Sequence, residues 1–334
     1  MLSEILVTFG ISFLLIWGVR HFASVIGLVD IPNQRSSHDR VMPRGGGLGF
    51  TLAVLTVFPL FHFDLAREHI WIFLAIFFVL MIGFLDDHKN TSPNTKFIVI
   101  ALATLFLYQD GIVIDDVGTF FGWHIQLGWL ALPFTILAVV GFTNALNLID
   151  GLDGLAAGIS LVIFGSLFVV GYIHHDMFIQ TFSLGFIVSL LAFLIFNWNP
   201  ASIFMGDSGS LVLGFVISLL AIKALTYLPA VSILFLAAIP NMDLLIVFFR
   251  RKLHGRPVFS ADKCHFHHIL HVFFEEHTKK SVLFLIILQI IYSMTALQLD
   301  KHIDEGWLLL LFVLNVVMLY LGLGEMIKRQ GRDC

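Results

Sequence analysis

"HIWIFLAIFFVLMIGFLDDHKN", residues 69–90, is apolar from Ile70 through Leu85 and then turns at once to Asp86 and Asp87. A helical run of about 17 residues or more can cross a bilayer. Nothing in this stretch alternates with the weak period of two that a barrel strand carries. Similar runs recur along all 334 residues, leaving 58% of the chain hydrophobic and 13% charged, where soluble domains carry roughly 25% charged residues. So few charges could not cover the surface of a soluble protein. The fold class is all-α, a polytopic integral membrane helical bundle.

Helices are expected near residues 3–26, 46–63, 69–85, 95–109, 127–145, 157–173, 178–196, 209–225, 230–248, 281–298 and 306–324, about 11 transmembrane helices in all. An odd number puts the termini on opposite sides. Glu4 precedes the first run and no small-residue cleavage site follows it, which favours a retained helix over a removed signal peptide. One set of loops and the tail hold fifteen of the nineteen Lys and Arg, among them Arg35, Arg40, Arg44, Lys89, Lys96, Arg250, Arg251, Lys252, Arg256 and Lys263. Arg67, Lys223 and Lys301 lie on the other side, and Arg20 lies within the first span. The positive-inside rule then places the N-terminus outside and the C-terminus in the cytosol. Cys264 and Cys334 fall on the cytosolic side and are expected as free thiols. No repeat, low-complexity tract or linker divides the chain, so residues 1–334 are expected to form a single transmembrane domain.

The polar motifs gather in the cytosolic loops, near 28–45, 86–95, 146–156, 197–209 and 250–280. The loops outside are short, and Asp110, Asp115 and Asp116 there read as solvated. Asp86 and Asp87 close a span at a helix C-terminus, where negative charge opposes the helix dipole. They are either plain solvated carboxylates or are compensated by a cation, Lys89 or Lys96.

"NALNLIDGLDGLAAG", residues 144–158, spaces Asn144, Asn147, Asp150 and Asp153 three apart. Each such step turns a helix by about 60°, so Asn147, Asp150 and Asp153 share a side. Gly151 and Gly154 are expected to leave room for a ligand at the backbone. Oxygen-only side chains suit Mg²⁺, which takes one or two protein carboxylates and fills its shell with water and phosphate. Capping of the helix near residue 155 would explain one aspartate, not the run.

In "FMGDSGS", residues 204–210, the GDSG reads superficially as a serine-protease nucleophile motif, but no base accompanies it. Asp207 at a helix entrance, with glycines turning backbone N–H groups toward an anion, is the preferred reading. "HFHH" sets His265, His267 and His268 near Arg256 and Lys263, which fits a phosphate clamp better than zinc, since no fourth ligand or HExxH accompanies them. Asp243, in "IPNMDLLIVF", is either functional or a packing partner, because a carboxylate inside a membrane is costly.

Taken together, DD, NxxDGxDGL, FMGDSGS and HxHH, in this order and on one face, resemble the polyprenyl-phosphate N-acetylhexosamine-1-phosphate transferases. The resemblance runs from "PNQRSSH" near residue 32 to "HFHH" near 268. "ADKCHFHH" is similar to the bacterial members that use UDP-N-acetylglucosamine, while "RSSH" with "PRGGG" also resembles members with 6-deoxy-aminosugar donors. The resemblance implies that Asp207 binds magnesium with Asn147 close by, that Asp86 deprotonates or orients the lipid phosphate, and that Asp87 is its neighbour. It implies that Asp150 and Asp153 shape the nucleotide site, that Asn197 and Phe204 contact uracil, and that His265 opens the donor-phosphate loop with His267 and His268. Lys96 matches a basic residue on the fourth span, and Arg44 belongs to the substrate-binding set. Asn90 departs from the pattern, standing where some relatives have an acid or lysine.

The implied reaction is attack of undecaprenyl phosphate on a UDP-sugar, releasing UMP, as the first membrane step of a cell-surface polysaccharide. The implied cofactor is Mg²⁺, with Mn²⁺ the alternative. The implied partners are the UDP-sugar, undecaprenyl phosphate and membrane lipids, with no nucleic acid and a homodimer left open. The implied place is the bacterial inner membrane, with the active site facing the cytoplasm. An intramembrane aspartyl protease would need two aspartates within spans, and a transporter would gather its polar residues at the midplane; neither pattern is present.

Overall fold

The computed structural model describes residues 2–32, 41–253, 255, 265–299 and 304–331. Arg35, Arg40, Arg256, Lys263, Cys264, Lys301 and Cys334 lie outside the described residues, as do parts of the 28–45 and 250–280 loops.

The chain is an all-α polytopic membrane protein. Its helices are α1 (Leu2–Phe22), α2 (Gly46–Phe61), α3 (Phe63–Glu68), α4 (Ile70–Lys89), α5 (Pro93–Gln109), α6 (Ala131–Ile149) and α7 (Leu155–Ile173). They continue with α8 (Met177–Asn197), α9 (Asp207–Ala224), α10 (Ala230–Leu236), α11 (Ala238–Leu253), α12 (Phe266–Phe273), α13 (Thr278–Gln298) and α14 (Glu305–Arg329). Every one of the expected segments carries helix. Eight helices among the described residues are long and apolar enough to cross a membrane. In hydrocarbon a helix satisfies its own backbone, so apolar sequence and helix go together.

One expected span is not straight. The segment 230–248 breaks into α10 and α11, which meet at 91°. The break frees backbone groups that need partners. Gln289 of α13 accepts the N–H of Ile239 at 3.0 Å and donates to the carbonyl of Leu236 at 2.8 Å, and Ser293 donates to the same carbonyl at 3.0 Å.

Helix α9 runs through the centre, packed against α2, α4, α6 and α7. Small residues let these backbones close up. A Cβ on Gly47 would strike the backbone of Gly209, one on Gly83 would strike Asp207 and Ser208, and one on Gly214 would strike Thr143.

Two short antiparallel hairpins complete the fold. In β1 (Val29–Asp30) and β2 (Met42–Pro43), Val29 faces Pro43 and Asp30 faces Met42. The pairing continues into the α9 approach, with Phe204 N–H on the Pro43 carbonyl at 2.8 Å and Gly46 N–H on the Phe204 carbonyl at 3.0 Å. That seam carries Arg44 and Asp207 to the same end of the bundle.

At the opposite end, β3 (Asp116–Phe120) pairs with β4 (Trp123–Gln126). Asp304 holds the hairpin turn to the start of α14, accepting from Phe121, Gly122 and Gly306. Asp110, expected as solvated, is instead a brace. Its carboxylate is largely buried, accepts the Ile72 N–H at 3.2 Å and lies 3.9 Å from His69.

Candidate active site

Helices α4, α5, α6 and α9 bring Asp86, Lys96, Asn147 and Asp207 together. Helix α5 begins where Ser92 accepts the N–H of Thr95 and Pro93 occupies the first turn, where a missing N–H is harmless. One turn on, Lys96 Nζ lies 2.7 Å from Asp207 Oδ2 and 3.5 Å from Asp86 Oδ1. The ammonium thus stands between two carboxylates from different helices. Thr91 also holds Asp86 Oδ1, through its N–H at 2.8 Å and its hydroxyl at 2.7 Å. Asn147 Nδ2 donates to Asp207 Oδ1 at 3.1 Å and to Ser210 Oγ at 2.8 Å.

Asp87 faces the other way. Its side chain is fully buried and accepts the N–H groups of Asp207 at 2.8 Å and Ser208 at 3.1 Å, while Arg44 Nε lies 3.0 Å from Oδ1. The helix entrance expected to receive an anion does receive one, and it is this carboxylate. Gly206 makes the approach possible: its φ is 75°, and a Cβ there would press on the Asp87 oxygens. Arg44 completes the brace by donating from Nη2 to the Asp86 carbonyl at 3.0 Å. The C-terminal charge of α4 is therefore compensated by Lys96 and Arg44.

The 144–158 stretch is a helix, a turn and a second helix. Asp153 Oδ2 accepts from Asn199 Nδ2 and from the Ala201 N–H, both at 3.0 Å. Asn197, buried, accepts the Gly154 N–H at 3.0 Å and donates to the Ile203 carbonyl at 2.9 Å. Both side chains clamp the 150–154 turn to the 197–204 loop, and both ends of the Asn197 amide are taken up within the protein. Phe204 belongs to the same loop and is partly buried.

Asp150 differs. Among the described residues no hydrogen bond holds its carboxylate. Burial, followed by the charges of Asp207, Asp87 and Asp153, pushes its carboxyl up to about 8.

The room expected at the two glycines is already filled. A Cβ on Gly151 would collide with His267 Nε2, and one on Gly154, whose φ is 78°, would meet Trp198 at 3.0 Å. The histidines thus dock onto the turn instead of standing clear of it. His267 lies 4.1 Å from His268 and 5.9 Å from His265, centroid to centroid. Among the described residues neither His267 ring nitrogen has a partner. Burial, with the neighbouring histidines, holds its imidazole well below the usual histidine range. The ring therefore stands against the turn as a buried, uncharged imidazole. His265 is held by Asp243 at 2.7 Å.

Thr91, Ser210 and Asn199 were not singled out by sequence reading. Each is a short polar residue within four positions of a motif aspartate or in the loop beyond it, and only the fold shows which contact is made.

The donor set is compatible with a hard cation. Asp86 and Asp207 offer carboxylate oxygens around one point, and Mg²⁺ takes one or two protein carboxylates when phosphates complete its shell. Among the described residues no three His, Cys, Asp or Glu side chains form a preformed cage.

Residues 69–225, which hold the Asp86–Lys96–Asp207 cluster and the turn between them, match the model of glycosyl transferase family 4. The chain is 35% identical over 305 residues to a Bacillus subtilis (strain 168) protein named probable undecaprenyl-phosphate N-acetylglucosaminyl 1-phosphate transferase, covering 90% of this chain and 85% of the relative. Proteins named undecaprenyl-phosphate alpha-N-acetylglucosaminyl 1-phosphate transferase are similar too. The one from Yersinia pestis is 29% identical, covering 81% of this chain and 76% of its own. The one from Escherichia coli (strain K12) is 27% identical, covering 98% and 91%. A likeness that spans nearly the whole chain and includes the four-helix cluster has one reading: this chain belongs to glycosyl transferase family 4.

Proposed function

We propose that this protein transfers N-acetylglucosamine 1-phosphate from UDP-N-acetylglucosamine to undecaprenyl phosphate, releasing UMP. The observation that carries the reading is the cluster in which Lys96 lies between Asp86 and Asp207 at one end of the bundle. The names of the relatives supply the donor and acceptor classes.

The two reactants are anions, so the site must offset their repulsion before they meet. A phosphate oxygen of the lipid attacks the β-phosphorus, forming a new P–O bond. The bond from that phosphorus to the oxygen shared with the α-phosphate breaks, and its electron pair leaves on UMP. A phosphomonoester has its second pKa near 6, at about neutral pH already largely ionised. Asp86, held by Thr91, therefore serves alignment more than proton removal. Lys96 presents its ammonium to the phosphates, and positioning with charge stabilisation provides most of the catalysis in phosphoryl transfer. Asp207 and Asp86, with Asn147 close by, would hold Mg²⁺, which when bound screens the pyrophosphate charge. His265 completes the donor-phosphate contacts, and the Asp150 turn forms the nucleotide wall.

The reading includes a single transferase unit in a bacterial inner membrane with this face toward the cytosol, opening a cell-surface polysaccharide pathway. The test is a donor panel on purified protein with undecaprenyl phosphate and Mg²⁺. UDP-N-acetylglucosamine should release UMP fastest. Release of UDP would mean attack at the sugar carbon and would overturn the reaction. A faster 6-deoxy-aminosugar or N-acetylgalactosamine donor would overturn the sugar only. Orientation is tested separately in a chain with Cys264→Ser and Cys334→Ser: Gln126→Cys should label in intact cells, and Asn94→Cys only after permeabilisation.

A further inference from the structure

We propose that Asp243 is a positioning residue for the transfer, acting through His265. Asp243 lies in an apolar helix and is 2% exposed. A carboxylate there is costly unless both oxygens are matched. Both are. Oδ2 lies 2.7 Å from His265 Nδ1, and Oδ1 accepts the N–H of Phe266 at 2.7 Å.

The two bonds do different things. The Phe266 bond takes the place of an N-cap, because His265 occupies that position of α12 without a capping bond from its own side chain. The Nδ1 bond fixes the ring. It holds the imidazole in one orientation and leaves Nε2 as the nitrogen available to a phosphate oxygen. A carboxylate that orients an imidazole in this way selects both the tautomer and the direction of the working nitrogen.

The placement links the bundle to the site. Asp243 sits six residues past the break at Ala237, so the 91° bend aims α11 and its carboxylate at the histidine segment. His265 stacks at 5.9 Å on His267, and His267 fills the face of Gly151 beside Asp150. His265 is thereby held against the nucleotide turn by one carboxylate from the bent span.

This inference rests on the reading above that His265 contacts the donor phosphates, and a double-mutant cycle separates the two. UMP release and Tm are measured for Asp243→Asn, His265→Ala and the pair. Each single change should lower kcat/KM by about 10–100-fold, the range for losing a residue that orients a ligating side chain. Both should show the same division between kcat and KM. The pair should be within about twofold of the worse single variant, since the carboxylate has nothing left to orient. Losses that multiply would overturn the proposal, as would an Asp243→Asn protein with activity within about twofold of the parent. A fully active His265→Ala would overturn the phosphate role of His265, and the proposal with it. If Asp243→Asn does not fold, Asp243→Glu, whose extra methylene displaces the carboxylate from His265 Nδ1 while keeping the charge, carries the same cycle with the same criteria.

Discussion

The carboxylate of Asp87 accepts the backbone N–H of Asp207 at 2.8 Å. The adjacent Asp86 reaches the side chain of that same residue through Lys96. Two neighbouring aspartates at one helix end therefore have opposite tasks. Asp87 closes the N-terminus of α9 and pairs with Arg44, while Asp86 faces Lys96 and is held by Thr91.

Asp87→Asn should therefore lower stability first. It weakens acceptance of two N–H groups and leaves the Arg44 guanidinium without its anion, and breaking a buried pair costs roughly 3–5 kcal/mol. Asp86→Asn should leave Tm nearly unchanged and reduce kcat. Thermal unfolding in detergent together with UMP release on both variants measures the contrast; equal Tm losses would refute the division of tasks.

Lys96 occupies the space between Asp86 and Asp207 that a divalent cation would share. Replacing it with Met removes the competing charge and leaves two carboxylates facing each other. Lys96→Met should bind Mn²⁺ more tightly without substrate, by about tenfold for 1.4 kcal/mol of lost competition, yet turn over more slowly. Mn²⁺ titration followed by electron paramagnetic resonance reads the affinity directly, independent of turnover. Weaker Mn²⁺ binding in the variant would mean that Lys96 supports the cation instead of competing with it.

Gly151 and His267 are coupled by shape. Gly151→Ala places a methyl where His267 Nε2 now lies, so the histidine must move. The variant should fold and bind UDP-sugar about tenfold more weakly, the scale of a 1.4 kcal/mol loss. In a His267→Ala background the same methyl finds space, and Gly151→Ala should then cost little. Donor KM across the four proteins tests this, and additive losses would remove His267 as the obstacle.

The helices were legible because each apolar run is long and continuous, and the motif aspartates were legible because they interrupt such runs. The break at Ala237 falls in the apolar run before Pro240, and its partners Gln289 and Ser293 lie about fifty residues away in sequence, so nothing local showed how a bend there would be satisfied. Pro240 was the available signal: it sits in the first turn of α11, where proline is tolerated, and would have interrupted a straight span. In the site, convergence was readable but orientation was not. Nothing local distinguishes Asp86 from Asp87, and the bond that does crosses 120 positions. The glycines were read as space for a ligand because the sequence does not show which side chain, His267 or Trp198, fills it.

Asp150 gives a pH dependence with a definite sign. Its carboxyl moves from an ordinary value of 3.8 up to about 8. Between those values the folded chain keeps a proton that the unfolded chain has released, so stability is full at the acid end and falls as pH rises through about 8. Asp150→Asn is neutral at every pH and escapes this loss. It should raise Tm at pH 8.5 by at least about 2–4 °C, the response of a large domain to each 1 kcal/mol, and should change Tm little at about pH 4, near the unfolded value. Mg²⁺, by adding positive charge beside the same carboxylates, should flatten the parent's dependence and leave the variant's unchanged. Tm measured against pH with and without Mg²⁺ checks both, and a parent Tm that rises from pH 5.5 to 8.5 where the variant's does not would reverse the assignment.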